Sequence, residues 1–284
     1  MIIKVNNSEK LIKFLIHNTL GLSFGSAQKL LRQGDVKVNG KRTKENITLN
    51  PNDQVEVYIS KKSTPQVPIV YEDENIIIVN KPSGLECATR DKSSPNTYSL
   101  EELFKSKNAI IVHRLDRLTS GLVIMAKNKE IAKELEVIFR TRQIDKYYMA
   151  CVYGKFESNG TYTAYLYKDS RNSSVVISNT PKPDYKEIIT EFNCIEYINN
   201  YSIIDIKLHT GRTHQIRAHL SHLGYSLIND SKYAKNLYTV KEYNGYMLSA
   251  YKLKFNITGK LKYLNTFSFE IVPPWLQIIK KDEC

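Results

Sequence analysis

Six stretches between residues 75 and 209 are dense in β-branched and aromatic residues: NIIIVNK (75–81), GLVIMAK (121–127), KYYMACVYG (146–154), TYTAYLY (161–167), IITEFNCIEY (188–197) and YSIIDIKLH (201–209). Such side chains suit a pleated, half-buried surface and lose rotamer freedom in a helix. Two segments with helical spacing interrupt them. One starts after Asn128 and carries Ile131, Leu135 and Ile138; the other starts after Thr213, carries Ile216, Leu220 and Leu223, and ends at Gly224. Many strands with few helices predict an α+β fold with a mixed or antiparallel sheet, not a doubly wound parallel one.

The first sixty residues read as a separate small unit. Leu11, Ile12, Leu15 and Ile16 follow helical spacing, with Ser8 placed to cap that helix. A second helix runs through Ala27, Leu30 and Leu31 and stops at Gly34. DVKVNGKR then alternates Val36 and Val38 and turns at Asn39-Gly40, while DQVEVYI supplies a strand with Val55, Val57 and Ile59. Lys29 and Arg32 share a helix face, and Lys37, Lys41 and Arg42 lie on or beside the hairpin. A helix pair leading into a basic hairpin resembles the alpha-L RNA-binding domain. The expected organisation is that domain over 1–60, a Pro- and Lys-containing linker over 61–68, and a catalytic domain over 69–284.

Lys and Arg total 41 against 29 Asp and Glu, a net charge of +12, which favours a polyanionic partner over a merely basic surface. Cys87, Cys151, Cys194 and Cys284 are scattered without a CxxC pair, so neither a zinc site nor a disulfide framework is expected. The first residues, MIIKVNNSEK, lack the apolar run of a signal peptide, and no stretch reaches the length of a membrane helix. The expectation is a cytoplasmic protein with reduced thiols and no membrane contact.

HRLDRLTSG, residues 113–121, places one acid among bases: Asp116 has Arg114 before it and Arg117 directly after it. A structural ion pair is the plain reading. A carboxylate among guanidiniums is also favoured in its charged form, and carboxylates serve as covalent nucleophiles. HTGRTHQIRAHLSHLG, residues 209–224, crowds Arg212, His214, Arg217 and His219 at the start of a helix. His214 and His219 are five apart, off one face for a helical zinc pair, so an anion or carboxylate site fits better.

VHRLDRLTSGLVIMAKN and LHTGRTHQIRAHLSHLG resemble the two signature motifs of the RluA family of pseudouridine synthases. YEDENIIIVNKPSGL, KYYMACVYG, SLINDSKY and MLSAYKLKF fall in that family's order around them. The resemblance spans about residues 68–275 and implies an α+β pseudouridine synthase fold with a curved, mixed, mostly antiparallel sheet. It implies that Asp116 attacks the target uridine, at the ribose anomeric carbon or at carbon-6 of uracil. The base then detaches, turns and rejoins through carbon-5. Arg217 would hold the aspartate, and Tyr148 would stack on the base and help remove the carbon-5 proton. Arg114 would displace the nucleotide from its stack. Arg212 and His214 join the expected substrate-binding set, with Lys29, Arg32 and Arg42 of the N-terminal unit. Arg117 receives no catalytic role.

An isomerisation of this kind needs no cofactor and no metal. The implied partner is a large structured RNA, foremost large-subunit ribosomal RNA, acted on by a monomer; transfer RNA is the alternative substrate. Leu118, Ser249 and the stretch ECATRDK after Gly84 depart from the family's usual residues without touching Asp116, Tyr148 or Arg217. Two other readings compete with this one. A non-catalytic ribosome-assembly factor would have a broken catalytic set. A glycoside hydrolase would need a second carboxylate flanking the bond.

Overall fold

The computed structural model describes residues 1–19, 22, 24–58, 64–89, 98–170, 172 and 174–281. Ile59, residues 60–63 of the linker region, Arg90, Asp91 and Lys92 of ECATRDK, and Cys284 lie outside the described residues. The chain divides into two compact units: residues 1–65, with which Thr89 and Tyr98 group, and residues 66–88 with the chain from Ser99 onward.

The first unit contains β1 (Ile2–Lys4), β2 (Glu9–Lys10), α1 (Leu11–Asn18), α2 (Phe24–Gln33), β3 (Val36–Val38), β4 (Lys41–Arg42), β5 (Thr48–Leu49) and β6 (Gln54–Val57). Its strands form a sheet in the order β1-β6-β3-β4 and a separate β2-β5 pair. Leu11, Ile12, Phe14 and Leu15 of α1 share one core with Ala27 and Leu31 of α2 and with Val36, Val38, Val55 and Val57. Asn39 and Gly40, with φ of 50° and 77°, turn β3 into β4 as a two-residue loop with both φ positive requires. Ser8 does not cap α1. Its hydroxyl donates to Leu49 O at 2.9 Å, because β2 intervenes before the helix. Two of the orphan helix N–H groups find partners elsewhere in the unit: Leu11 N–H donates to Ile47 O at 2.9 Å and Ile12 N–H to Asn46 Oδ1 at 2.8 Å.

The second unit contains β7 (Ile69–Glu72), β8 (Ile76–Lys81), α3 (Leu100–Leu103), β9 (Ile110–Ile111), β10 (Ser120–Ala126), α4 (Lys129–Arg140), β11 (Ile144–Tyr153), β12 (Gly160–Asp169), β13 (Ser174–Ser178), β14 (Lys186–Ile198), β15 (Tyr201–Leu208), α5 (Gln215–His222), β16 (Leu248–Phe255), β17 (Ser268–Glu270) and α6 (Leu276–Lys280). These strands build one sheet in the order β13-β12-β14-β15-β11-β16-β10-β8-β7, with β17 on β16 and β9 on β10. The β10–β16 pair is parallel and the others are antiparallel, as the α+β reading expects. Asn128 caps α4, its side chain accepting from Ile131 N–H at 2.9 Å. Ile131, Leu135 and Ile138 of that helix join Ile76, Ile78, Leu122 and Ile124, alternate residues of β8 and β10, in one core. A second core gathers Cys151, Ile203, Ile228, Met247, Trp275 and Ile279. Among the described residues no helix is long and apolar enough to cross a membrane.

Gly121 lets the parallel pair close. It has φ of 119° and lies opposite Ala250, where a Cβ would fall 2.3 Å from Ala250 O and 2.5 Å from Ala250 N. Neither atom can yield, since both belong to the neighbouring strand's backbone. Gly121→Ala is expected to cost roughly 3 kcal/mol or more. Chemical denaturation followed through Trp275, the chain's one tryptophan, measures it.

Candidate active site

Asp116 sits in the loop between β9 and β10, and that loop is bound from several sides. Thr119 N–H donates to Asp116 O at 3.0 Å, closing a turn on the aspartate. Lys81, fully buried at the end of β8, donates to three carbonyls: Leu85 O at 2.9 Å, Pro82 O at 3.1 Å and Arg117 O at 3.2 Å. Desolvation pushes its pKa down to about 8, while the three carbonyls match the three N–H donors of its ammonium form. Leu115 N–H donates to Cys87 Sγ at 3.3 Å, and Gly84 N–H to Arg117 O at 2.8 Å. His113 accepts Ile124 N–H at Nε2, and burial pushes its pKa down to about 3, so it is a neutral structural residue.

The second motif reaches the aspartate from α5. Arg217 is 3% exposed, and its Nη1 donates to Asp116 Oδ2 at 2.9 Å. The other side of the guanidinium grips Asp230, Nε to Oδ2 at 2.7 Å and Nη2 to Oδ1 at 2.9 Å, and Nη2 also donates to the Tyr246 hydroxyl at 2.9 Å. The Tyr246 ring lies 4.0 Å beneath the guanidinium carbon. Burial works against the charge of Arg217, but Asp230 outweighs it and raises the pKa, so the residue is a permanent cation.

His214, at the N-terminal end of α5, has a left-handed backbone with φ of 53°. Its Nδ1 lies 2.7 Å from the Tyr233 hydroxyl and its Nε2 3.7 Å from Asp116 Oδ1. Tyr233 also accepts Val175 N–H at 3.0 Å; in the tautomer where its own proton goes to Nδ1, His214 carries Nε2–H toward the aspartate. Burial lowers the His214 pKa. Gln215 is buried and fixes the preceding loop, accepting from Arg212 N–H at 3.0 Å and from the Thr210 hydroxyl at 2.9 Å.

Tyr148 comes from β11, between β15 and β16, where the pairing with β16 slips between Tyr147 and Tyr148. Such a bulge re-aims a side chain. Burial first, and then the charge of Asp116, push its phenol pKa up, so its resting form is neutral. The histidines of the second motif turn to separate partners: His209 to Glu191, His219 to Thr190 and His222 to Asn179. Among the described residues no group of three metal-ligating side chains converges.

Asp116, Tyr148, Arg217, Arg114, Arg212 and His214 therefore line one cavity of about 70 Å³. Arg114 and Arg212 are exposed at its rim. Lys29 and Arg32 on α2 and Arg42 on β4 are exposed on the first unit. Sequence reasoning missed Asp230, Tyr233, Tyr246 and Lys81 as parts of this site. Asp230 and Tyr233 lie in SLINDSKY and Lys81 in the YEDENIIIVNKPSGL stretch, and that position is the only sequence signal they carry.

The sequence profile of the RNA pseudouridylate synthase family matches residues 75–222. The chain belongs to the RluA-type family of RNA pseudouridine synthases. The synthase is similar to an uncharacterized RNA pseudouridine synthase of Mycoplasma capricolum, 34% identical with 96% of this chain and 97% of that one covered. It is 32% identical to the ribosomal large subunit pseudouridine synthase C of Buchnera aphidicola, with 93% and 87% covered. A solved structure of human RNA pseudouridylate synthase domain containing 4 shares the fold, with a TM-score of 0.61 at 18% identity over 76% of this chain and 92% of that one. The synthase is thus an RNA-modifying isomerase.

Proposed function

We propose that this synthase isomerises specific uridines of large-subunit ribosomal RNA with Asp116 as its nucleophile. The observation that carries the reading is the Asp116–Arg217 pair at a cavity that Tyr148 also lines. The likeness to a ribosomal large subunit pseudouridine synthase supports the choice of RNA.

Arg217 occupies Asp116 Oδ2 and leaves Oδ1 without a hydrogen bond among the described residues, so Oδ1 is the attacking oxygen. Asp116 forms a bond to the nucleotide and the glycosidic N1–C1′ bond breaks. The freed uracil turns, C5 bonds to C1′, and Asp116 is released. The proton lost from C5 is balanced by one gained at N1, so no electrons leave the site and no water is consumed. Tyr148, neutral at rest, offers a ring for the base to stack on; its raised pKa supports that role over a resting phenolate base. Displacing the nucleotide from its stack costs a few kcal/mol, which the guanidinium of Arg114 helps to offset. Lys29, Arg32 and Arg42 on the first unit serve as phosphate contacts of an alpha-L module.

Mapping pseudouridines in the RNA of a strain lacking this protein tests the reading. One or more large-subunit positions should disappear, and the wild-type gene should restore them. A loss confined to transfer RNA would overturn the ribosomal assignment, and no loss in any RNA would sink the function.

A further inference from the structure

A cavity of about 470 Å³ adjoins the one that holds Asp116 and shares Arg114, Tyr148 and Arg212 with it. Its wall is extended by Arg140, Arg142 and Lys146. Among the described residues none of these five cations makes an ion pair with a carboxylate. The acid next in sequence, Asp145, is taken by Lys207 at 3.1 Å. Lys146 is half-buried, its ammonium 5.9 Å from the centre of the Phe139 ring, and burial together with the charge of Arg142 lowers its pKa. A recess walled by five cations that no described carboxylate pairs with is matched to an anion.

Arg142 adds an independent sign. It ends α4 with φ of 60°, and Gln143 N–H closes back on Ile138 O at 3.0 Å. That closure puts a left-handed residue at this position, where glycine is usual. Here an arginine bears the backbone strain, and strain retained at a cleft points to use of the side chain. The competing account is a cation complementing the negative end of the helix dipole.

We propose that Arg140, Arg142 and Lys146 form a phosphodiester-binding subsite. It grips the RNA backbone beside the nucleotide whose base enters the Asp116 cavity. The subsite rests on the pseudouridine synthase reading, and its ligand is the phosphate group, with no base read.

Arg142→Gly separates the two accounts, because glycine relieves the backbone strain as it removes the charge. Binding of transcribed large-subunit ribosomal RNA is measured at several salt concentrations, with the single-turnover rate at saturating RNA and the melting temperature. The variant should melt at the same temperature or higher and bind roughly tenfold more weakly at low salt. Its log–log salt slope should flatten by about 0.7 to 0.9. Its rate at saturation should stay within about twofold, since the groups around Asp116 are untouched. Arg140→Gln, on the exposed last turn of α4, should flatten the slope in the same way. Unchanged affinity and slope in both variants would overturn the subsite. A lower melting temperature with an unchanged slope would assign Arg142 to the helix dipole instead. If the wild-type protein binds this RNA and forms no pseudouridine, the functional reading fails, while the slopes still decide the subsite.

Discussion

Asp116→Asn is expected to lower single-turnover pseudouridine formation by at least ~10⁴-fold, the scale seen when a nucleophile is removed. RNA affinity should change by less than about threefold, because the amide is isosteric and touches neither rim arginine. The fold should tolerate the change. Arg217 is held by two hydrogen bonds to Asp230, so its buried charge stays compensated when the charge on residue 116 is lost. The amide oxygen can still accept from Nη1. Stability should therefore fall by no more than about 1 kcal/mol. Tritium release from C5-labelled RNA reads the turnover directly. Release at a tenth of the wild-type rate or faster would rule out Asp116 as the attacking group.

Much of this architecture was legible because it is local. β-Branched runs mark β8, β10 and β15, Asn128 announces α4, and Asn39-Gly40 dictates its own turn. The failures share one physical cause, which is a partner supplied from far along the chain. Ser8 has a capping residue's chemistry, yet α1 takes its partners from Asn46 and Ile47. In the site, the two signature motifs point to Asp116 and Arg217, and the fold joins them across 101 residues. The supports were not legible. Lys81 reads as an ordinary lysine after a strand, and only the fold brings Arg117 O within its reach. Cys87 reads as a stray thiol, yet it takes the N–H of Leu115, next to Asp116. Asp230 is a lone acid outside any periodic pattern. A buried arginine touching one carboxylate at a single nitrogen has unmet donors, and that deficit, invisible in spacing, is what Asp230 fills.

That arrangement makes Arg217 the most consequential support in the site. Arg217→Met should destabilise the protein by about 3–5 kcal/mol, because it strands the charge of Asp230 at 1% side-chain exposure. Among the described residues two backbone contacts remain to that carboxylate, from Lys232 N–H at 3.0 Å and Tyr233 N–H at 3.4 Å, and they are too few to replace a guanidinium. Turnover should fall at least ~10²-fold as well, since nothing else among the described residues fixes Asp116 Oδ2. The two effects separate in the double variant Arg217→Met with Asp230→Asn. The amide keeps the two backbone hydrogen bonds and removes the stranded charge, so at least half of the lost stability should return. The rate should not return, because Asp116 still lacks its partner. Denaturation followed through buried Trp275 and single-turnover kinetics measure the two quantities on the same variants. Recovery of both together would mean that Arg217 acts on turnover only by keeping the protein folded. Recovery of neither would mean that Asp230 supports the site by a route other than the guanidinium.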